Sequence, residues 1–173
     1  MPSFSAVLLA GGQSTRMGRD KALLRWGRRT AIERVARLAK DAGARAILVA
    51  GADYGLPFVS DPTPNGGPVG GLLAAAACLA GAERLLVLAV DAPTLTLADL
   101  RPLLAACGPG AIYLGNPLPM VVALSALPFD LPAASSLRRL AELAGLSELP
   151  PRSAALPRLR GANTPDEFES LRA

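Results

Sequence analysis

The sequence predicts an α/β fold of three layers, a mostly parallel sheet with helices on both faces. Two observations carry this. Short apolar runs bounded by turn residues recur at residues 6–9, 46–50 and 85–90, the pattern of strands buried on both faces. Between them lie capped segments with helical spacing, so strand and helix alternate as in βαβ units.

The first run, Ala6-Val7-Leu8-Leu9, is followed by a glycine-rich polar loop that reaches Lys21. Thr30 and Glu33 form a capping box ahead of Ile32, Val35 and Leu38, and Gly43 suits a helix C′ position, so a helix spans about residues 30–42. Residues 46–50 make a second buried strand. Residues 58–60 make another, before a turn-rich stretch over 61–68 and an apolar helix from about Val69 to Leu79. Residues 85–90 form the strongest strand, which ends at Asp91-Ala92-Pro93; Thr96 with Asp99 then opens a helix to about Ala106. In the C-terminal third, residues 111–114 and 120–124 read as strands around Asn116-Pro117-Leu118-Pro119. Ser135 or Ser136 caps a helix carrying Leu137, Leu140 and Leu143. Residues 149–157 are proline-rich, and Thr164-Pro165-Asp166-Glu167 starts a final short helix. No repeat, charged tail or linker interrupts the pattern, so residues 1–173 are expected to form one domain.

Composition excludes several classes of function. The apolar share is 51% and the mean hydropathy +0.34, yet alanine supplies much of it and no run of about 18 apolar residues occurs, so no membrane span is expected. A basic segment before the first apolar run is missing, which argues against a signal peptide. Cys78 and Cys107 lie in alanine-rich, helix-like surroundings and are expected to be buried free thiols, as suits a reducing cytoplasm. The net charge of +4 raises the question of nucleic acid. The basic residues are spread along the chain, however, and only four Phe, two Tyr and one Trp are available for stacking. A basic pocket for an anionic small molecule explains the sign equally well. The chain has no histidine, which removes the commonest general base and every Ser-His or Cys-His dyad. What remains is carboxylates, Lys, Arg, backbone dipoles and a hard metal ion, an inventory on which phosphoryl and nucleotidyl transfer can run.

The most informative segment is Leu9-Ala10-Gly11-Gly12-Gln13-Ser14-Thr15-Arg16-Met17-Gly18-Arg19-Asp20-Lys21. Gly11 and Gly12 lack the Cβ that would keep a ligand from the backbone, and Arg16 and Lys21 add fixed positive charge, so the loop suits a polyphosphate. It is neither a Walker A loop nor a dinucleotide G-x-G-x-x-G, because Gly12 and Gly18 are wrongly spaced and Lys21 does not follow Gly18 directly. Asp91 and Asp61 each follow an apolar strand, where the ligand crevice of an open α/β sheet lies. Asp91 could hold Mg²⁺, which needs little more than one or two carboxylates and substrate phosphates. Asp61 could accept from a base or sugar hydroxyl. Each could equally open a turn. Asp20 is read as orienting Lys21 or its loop.

Taken whole, the loop resembles the signature of the nucleotidyltransferases, and Gly11-Gly12, Met17-Gly18 and Asp20-Lys21 make it most similar to the molybdenum cofactor guanylyltransferase family. The segment from Asn65 to Leu72 resembles that family's Gly-Pro-Leu-Ala-Gly-Leu stretch, and Asn163-Thr164-Pro165 its C-terminal ending. The resemblance implies a Rossmann-like α/β/α fold of the nucleotide-diphospho-sugar transferase type, with a nucleotide-binding part over about 1–107 and an acceptor-binding part over about 108–173. It implies Mg²⁺-dependent transfer of GMP from GTP to molybdenum-loaded molybdopterin in the cytoplasm, without nucleic-acid or membrane partners but with transient contacts to other cofactor-biosynthesis or acceptor proteins. On this resemblance Leu9, Ala10, Gly11, Gly12, Lys21, Asp61 and Asp91 bind the nucleotide. Lys21, Arg16 and Asp91 are catalytic, Asp91 holds the metal, and Asn163 lies on the acceptor side.

The resemblance spans Val7 to about Phe168, with departures. Ala50 stands where the family often carries Asn, Gly161 takes the place of its first C-terminal Asn, and the acceptor half is short. Two alternatives stay open: a related transferase using CTP or a sugar phosphate acceptor, and a non-catalytic module that binds nucleotide or cofactor.

Overall fold

The computed structural model describes residues 3–11, 20–60 and 66–161. The expected final helix at Thr164 lies outside them. Nine strands are found among the described residues: β1 (Phe4–Leu9), β2 (Arg25–Trp26), β3 (Arg29–Thr30), β4 (Ile47–Ala50), β5 (Phe58–Val59), β6 (Arg84–Ala89), β7 (Gly110–Tyr113), β8 (Asn116–Ala123) and β9 (Ser147–Leu149). The α-helices are α1 (Ala31–Asp41), α2 (Pro68–Cys78), α3 (Leu97–Ala105), α4 (Leu137–Leu143) and the single turn α5 (Leu156–Leu159).

Seven strands form one sheet in the order β5-β4-β1-β6-β8-β7-β9, while β2 and β3 make a separate hairpin. β1 pairs in parallel with β4 on one side, Leu9 opposite Ala50, and with β6 on the other, Leu9 opposite Ala89. β8 alone runs against its neighbours β6 and β7. The mostly parallel three-layer reading therefore holds, with one reversed strand.

The two sides of the sheet bury separate cores. Leu8, Leu86, Leu88 and Val121 pack with Ile32 and Val35 of α1 and Leu100 and Leu103 of α3. Val7, Leu85, Val87 and Met120 pack with Leu72 and Ala75 of α2 and Leu137 and Leu140 of α4. All six residues of β1 are buried, as a parallel strand covered on both faces requires.

Local signals account for most helix boundaries. Thr30 caps α1, and the Glu33 carboxylate accepts from the Thr30 N–H at 2.7 Å. That backbone bond, then the Thr30 hydroxyl, holds the Glu33 carboxyl below its ordinary pKa. Ser136 caps α4. Pro68 occupies the first turn of α2, where its missing N–H costs nothing, so this helix begins and ends one residue earlier than expected.

The acceptor half departs from the sequence reading. Asn116-Pro117-Leu118-Pro119, expected to separate two strands, is the start of β8, and the reversal occurs at Leu114-Gly115. The register with β7 jumps from Tyr113 opposite Asn116 to Ile112 opposite Met120. Both prolines fall inside this bulge, where no ladder N–H is needed. Cys78 and Cys107 are free but exposed, not buried: Cys78 ends α2 on its solvent side and Cys107 lies in the loop after α3.

Ser5, Arg84 and Asp99 are the buried polar side chains among the described residues, and two of them carry charge. Asp99, at the start of α3, has a side chain only 3% exposed and accepts from Arg158 Nε and Nη2, both at 2.7 Å. Burial alone would raise its carboxyl pKa, but Arg158 and Thr96 outweigh burial and hold it below the usual range. Arg84, 8% exposed at the start of β6, has Nε and Nη2 buried without a hydrogen-bond partner among the described residues.

Because the Asp99 pKa is depressed on folding, its contribution to stability is complete above the unfolded value of about 3.9 and is lost as pH falls toward the folded one. Asp99→Asn is expected to flatten the loss of unfolding free energy below about pH 4 in urea titrations; an unchanged slope refutes the linkage. Arg84→Met keeps the aliphatic stem and removes two unpartnered nitrogens, so it is expected to stabilise by about 1–3 kcal/mol, read from the urea midpoint.

Candidate active site

The order β4-β1-β6 opens a crevice at the carboxyl ends of these strands, where sheet growth reverses direction. The pairing continues past the strands. The Ala10 N–H donates to the Ala50 carbonyl at 2.9 Å and the Val90 N–H to the Leu9 carbonyl at 3.2 Å. Asp91, one residue further, is thereby brought beside the loop that leaves β1. A cleft of about 230 Å³ opens there. Leu9, Ala10 and Gly11 line it from β1, Asp20 and Lys21 from the following turn, and Ala89, Val90 and Asp91 from β6. Pro68 at the start of α2, Leu118 of β8 and Leu137 at the start of α4 complete the lining. Its volume is below the roughly 300–1,000 Å³ that encloses a drug-sized ligand, so it holds part of such a molecule.

Burial pushes the Asp91 carboxyl above its ordinary pKa, while the Lys21 charge and the backbone N–H of Asp91 pull it back. This carboxylate is held between two tendencies, and a cation in the cleft favours its ionised form. The donor set fits a hard divalent ion that completes its shell with phosphate oxygens. The first turn of α2 presents its backbone dipole to the same cleft, with the positive end toward it.

Hydrogen bonds hold the loops around the cleft. Asp20 caps the 3₁₀ turn Lys21–Leu23: its Oδ1 accepts from the Ala22 N–H at 2.9 Å, and its Oδ2 accepts from the Tyr54 hydroxyl at 2.7 Å. Burial first, and Asp20 second, raise the Tyr54 pKa, so this hydroxyl remains a donor. Arg34 of α1 donates from Nε to the Pro93 carbonyl at 3.0 Å and anchors the turn after Asp91. Gly51, at φ +145°, lies against the β1 loop: a Cβ there would stand 2.9 Å from the Gly11 nitrogen and 3.0 Å from the Ala10 carbonyl carbon. Gly161 lies against Asp91 itself, where a Cβ would stand 2.8 Å from Cγ.

Of the residues singled out from sequence, Leu9, Ala10, Gly11, Lys21 and Asp91 meet in this cleft. Gly12, Arg16, Asp61 and Asn163 lie outside the described residues. Sequence reasoning missed Tyr54, Gly51 and Leu137, which carry no local signal. Gly161 had one, as a departure from a resembling motif.

The model of the MobA-like NTP transferase domain matches residues 6–149. The chain belongs to this family. The likeness read from the Leu9–Lys21 loop is borne out. A protein of Xanthomonas euvesicatoria named molybdenum cofactor guanylyltransferase is 43% identical over 102 residues, covering 59% of this chain and 54% of that protein. The chain spans about half the length of the curated relatives it matches. Among solved structures, a nucleotidyl transferase from Methanothermobacter thermautotroptrophicus superposes with a TM-score of 0.76 at 20% identity, covering 98% of this chain and 96% of that one. The molybdopterin-guanine dinucleotide biosynthesis protein A of Archaeoglobus fulgidus superposes at 0.65 with 21% identity, covering 97% and 96%. These two structures establish the fold of the MobA-like chain.

Gly51→Ala is expected to cost about 1–3 kcal/mol in urea unfolding, through an unfavourable φ and a collision with rigid backbone. Gly55→Ala, at φ +77° with nothing within 4 Å, bears only the conformational part and is expected to cost less. Equal costs would show that Gly51 does not brace the β1 loop.

Proposed function

We propose that this MobA-like chain is a Mg²⁺-dependent guanylyltransferase that joins GMP from GTP to molybdenum-loaded molybdopterin. The observation that carries the reading is the convergence of Leu9, Ala10, Gly11, Lys21 and Asp91 on one cleft at the carboxyl ends of β1 and β6. Membership of the MobA-like family and likeness to a protein named molybdenum cofactor guanylyltransferase support the choice of chemistry.

The terminal phosphate oxygen of the pterin attacks the α-phosphorus of GTP, the bond from that phosphorus to the β-phosphate oxygen breaks, and pyrophosphate leaves with its electrons. An ionised phosphate needs no side-chain base, which agrees with a chain that lacks histidine. Gly11, with no side chain, lets phosphate oxygens approach the backbone, and the first turn of α2 adds a positive dipole. Lys21, assisted by Arg16, offsets charge on the α-phosphate and the departing pyrophosphate. Asp91 would hold Mg²⁺, which when bound would supply positive charge against the charge developing on the phosphates. Gly12 and Asp61 are assigned to phosphate and nucleoside, and Asn163 to the acceptor side. The chain then works as one domain, residues 1–107 serving the nucleotide and 108–173 the acceptor, and the free thiols Cys78 and Cys107 suit a cytoplasmic setting. Among the described residues no helix is long and apolar enough to cross a membrane.

Pyrophosphate release is to be measured with GTP, CTP, ATP and UTP in turn, each with Mg²⁺ and molybdenum-loaded molybdopterin. Release with GTP alone, reduced about 10²–10³-fold by Asp91→Asn, is the expected result. Release with CTP moves the assignment to another transferase, and GTP binding without any release favours a binding module.

A further inference from the structure

Asp91 sits in a closed ring of contacts that its own cleft does not require. From Asp91 the chain turns through Pro93, held by Arg34, and enters α3 at Leu97, two residues before Asp99. The buried Asp99 carboxylate accepts from the Thr96 N–H at 2.9 Å, the Thr96 hydroxyl at 2.7 Å and both Arg158 nitrogens at 2.7 Å. Its backbone carbonyl accepts from the buried Tyr113 hydroxyl at 2.6 Å. Asp99 is therefore tied to the cap of α3 through its carboxylate and to β7 through its carbonyl, independently of Arg158.

Arg158 belongs to α5, one turn of four residues, which cannot hold its own position because an isolated turn is far below the length of a stable helix. Ala155 and Leu159 bury apolar surface beside it, which is non-directional. The planar guanidinium fork on Asp99 sets both the position and the rotation of this turn. Gly161 follows within at most about 10 Å of chain. Its backbone runs directly against the Asp91 carboxylate, since a Cβ would stand 2.8 Å from Cγ, 2.8 Å from Oδ2 and 3.0 Å from Oδ1. The ring Asp91, Asp99, Arg158, Gly161 closes on the carboxylate where it began.

We infer that Asp99 and Arg158 are positioning residues for the Asp91 carboxylate: their ion pair seats the Gly161 backbone as a wall flat against its face, which limits how that carboxylate turns toward a phosphate-borne divalent cation in the cleft. The inference rests on the reading of Asp91 as the cation ligand. A group that orients a metal ligand is worth about 10–100-fold in metal affinity. Replacing Arg158 loosens the wall. Adding a methyl at position 161 pushes the carboxylate aside, and because that carboxylate is the end of a rotatable side chain, the cost falls on its aim more than on folding.

The test is the protein-dependent binding of Mn²⁺ by the full chain with GTP, from the electron paramagnetic resonance of free Mn²⁺ after subtraction of what the same GTP binds without protein, with folding checked by circular dichroism and GTP binding measured without metal. Asp91→Asn is expected to abolish Mn²⁺ binding. Arg158→Met and Gly161→Ala are each expected to raise the Mn²⁺ dissociation constant about 10–100-fold, with metal-free GTP affinity unchanged and Arg158→Lys intermediate. The double variant is expected to match the worse single one, because both act through the same wall. Folded single variants that bind Mn²⁺ within twofold of wild type, or effects that multiply in the double variant, overturn the positioning role while leaving Asp91 as ligand. If Arg158→Met does not fold, Gly161→Ala, with the ion pair intact, decides the question. Unchanged Mn²⁺ binding by Asp91→Asn overturns both the role of Asp91 and this inference.

Discussion

Strand β1 is hydrogen-bonded along both edges, to β4 and β6, and buried on both faces, and the site depends on that confinement. A strand so enclosed cannot slip by one residue, since every side chain would change face. Its carboxyl end is thus a fixed point. Ala10 and Val90 extend the same ladders by one bond each, which carries the confinement into the cleft. Because β4 and β6 lie on opposite sides of β1, the loops that follow them diverge and leave the crevice between.

Beyond the strand ends, apolar packing gives way to directional bonds. Asp20 with Tyr54 ties two loops at the cleft to each other, Arg34 with Pro93 ties the turn after Asp91 to α1, and Asp99 with Arg158 ties α5 to α3. The division is physically sensible. Apolar burial supplies stability without direction, whereas a carboxylate bound by a guanidinium fork or capped by a hydroxyl has one geometry. The result is a cleft with a carboxylate raised by burial, a lysine charge acting on it and a helix dipole aimed into it. In such surroundings charges interact more strongly than in water.

Elements with enough length to show a period were legible in the sequence. The capping box at Thr30 and Glu33, the apolar positions Ile32 and Val35 and the apolar run of β6 are signals within a few residues and appear where expected, while Leu38, from the same stripe, is only partly buried. β2, β3, β9 and α5 are two to four residues long and too short to carry any period. Pro117 and Pro119 argued for a turn because proline ordinarily interrupts a ladder, but a bulge excused both. The alanine-rich surroundings of Cys78 point to burial, and only the packing of α2 shows which side of that helix meets solvent.

The α/β class, the order of the principal strands and helices, and the glycine-rich cationic loop with a carboxylate after a strong strand are all legible along the chain. These are properties of neighbours in the chain, governed by side-chain period, caps and backbone freedom. Folding alone brings Leu118 and Leu137 to the cleft of Lys21 and Asp91, and sets Gly161 against Asp91 while Arg158 grips Asp99. Such pairs are far apart in sequence, and no local rule relates them. Their distances follow from strand order and from which face each helix covers, which the chain settles only when both cores close at once.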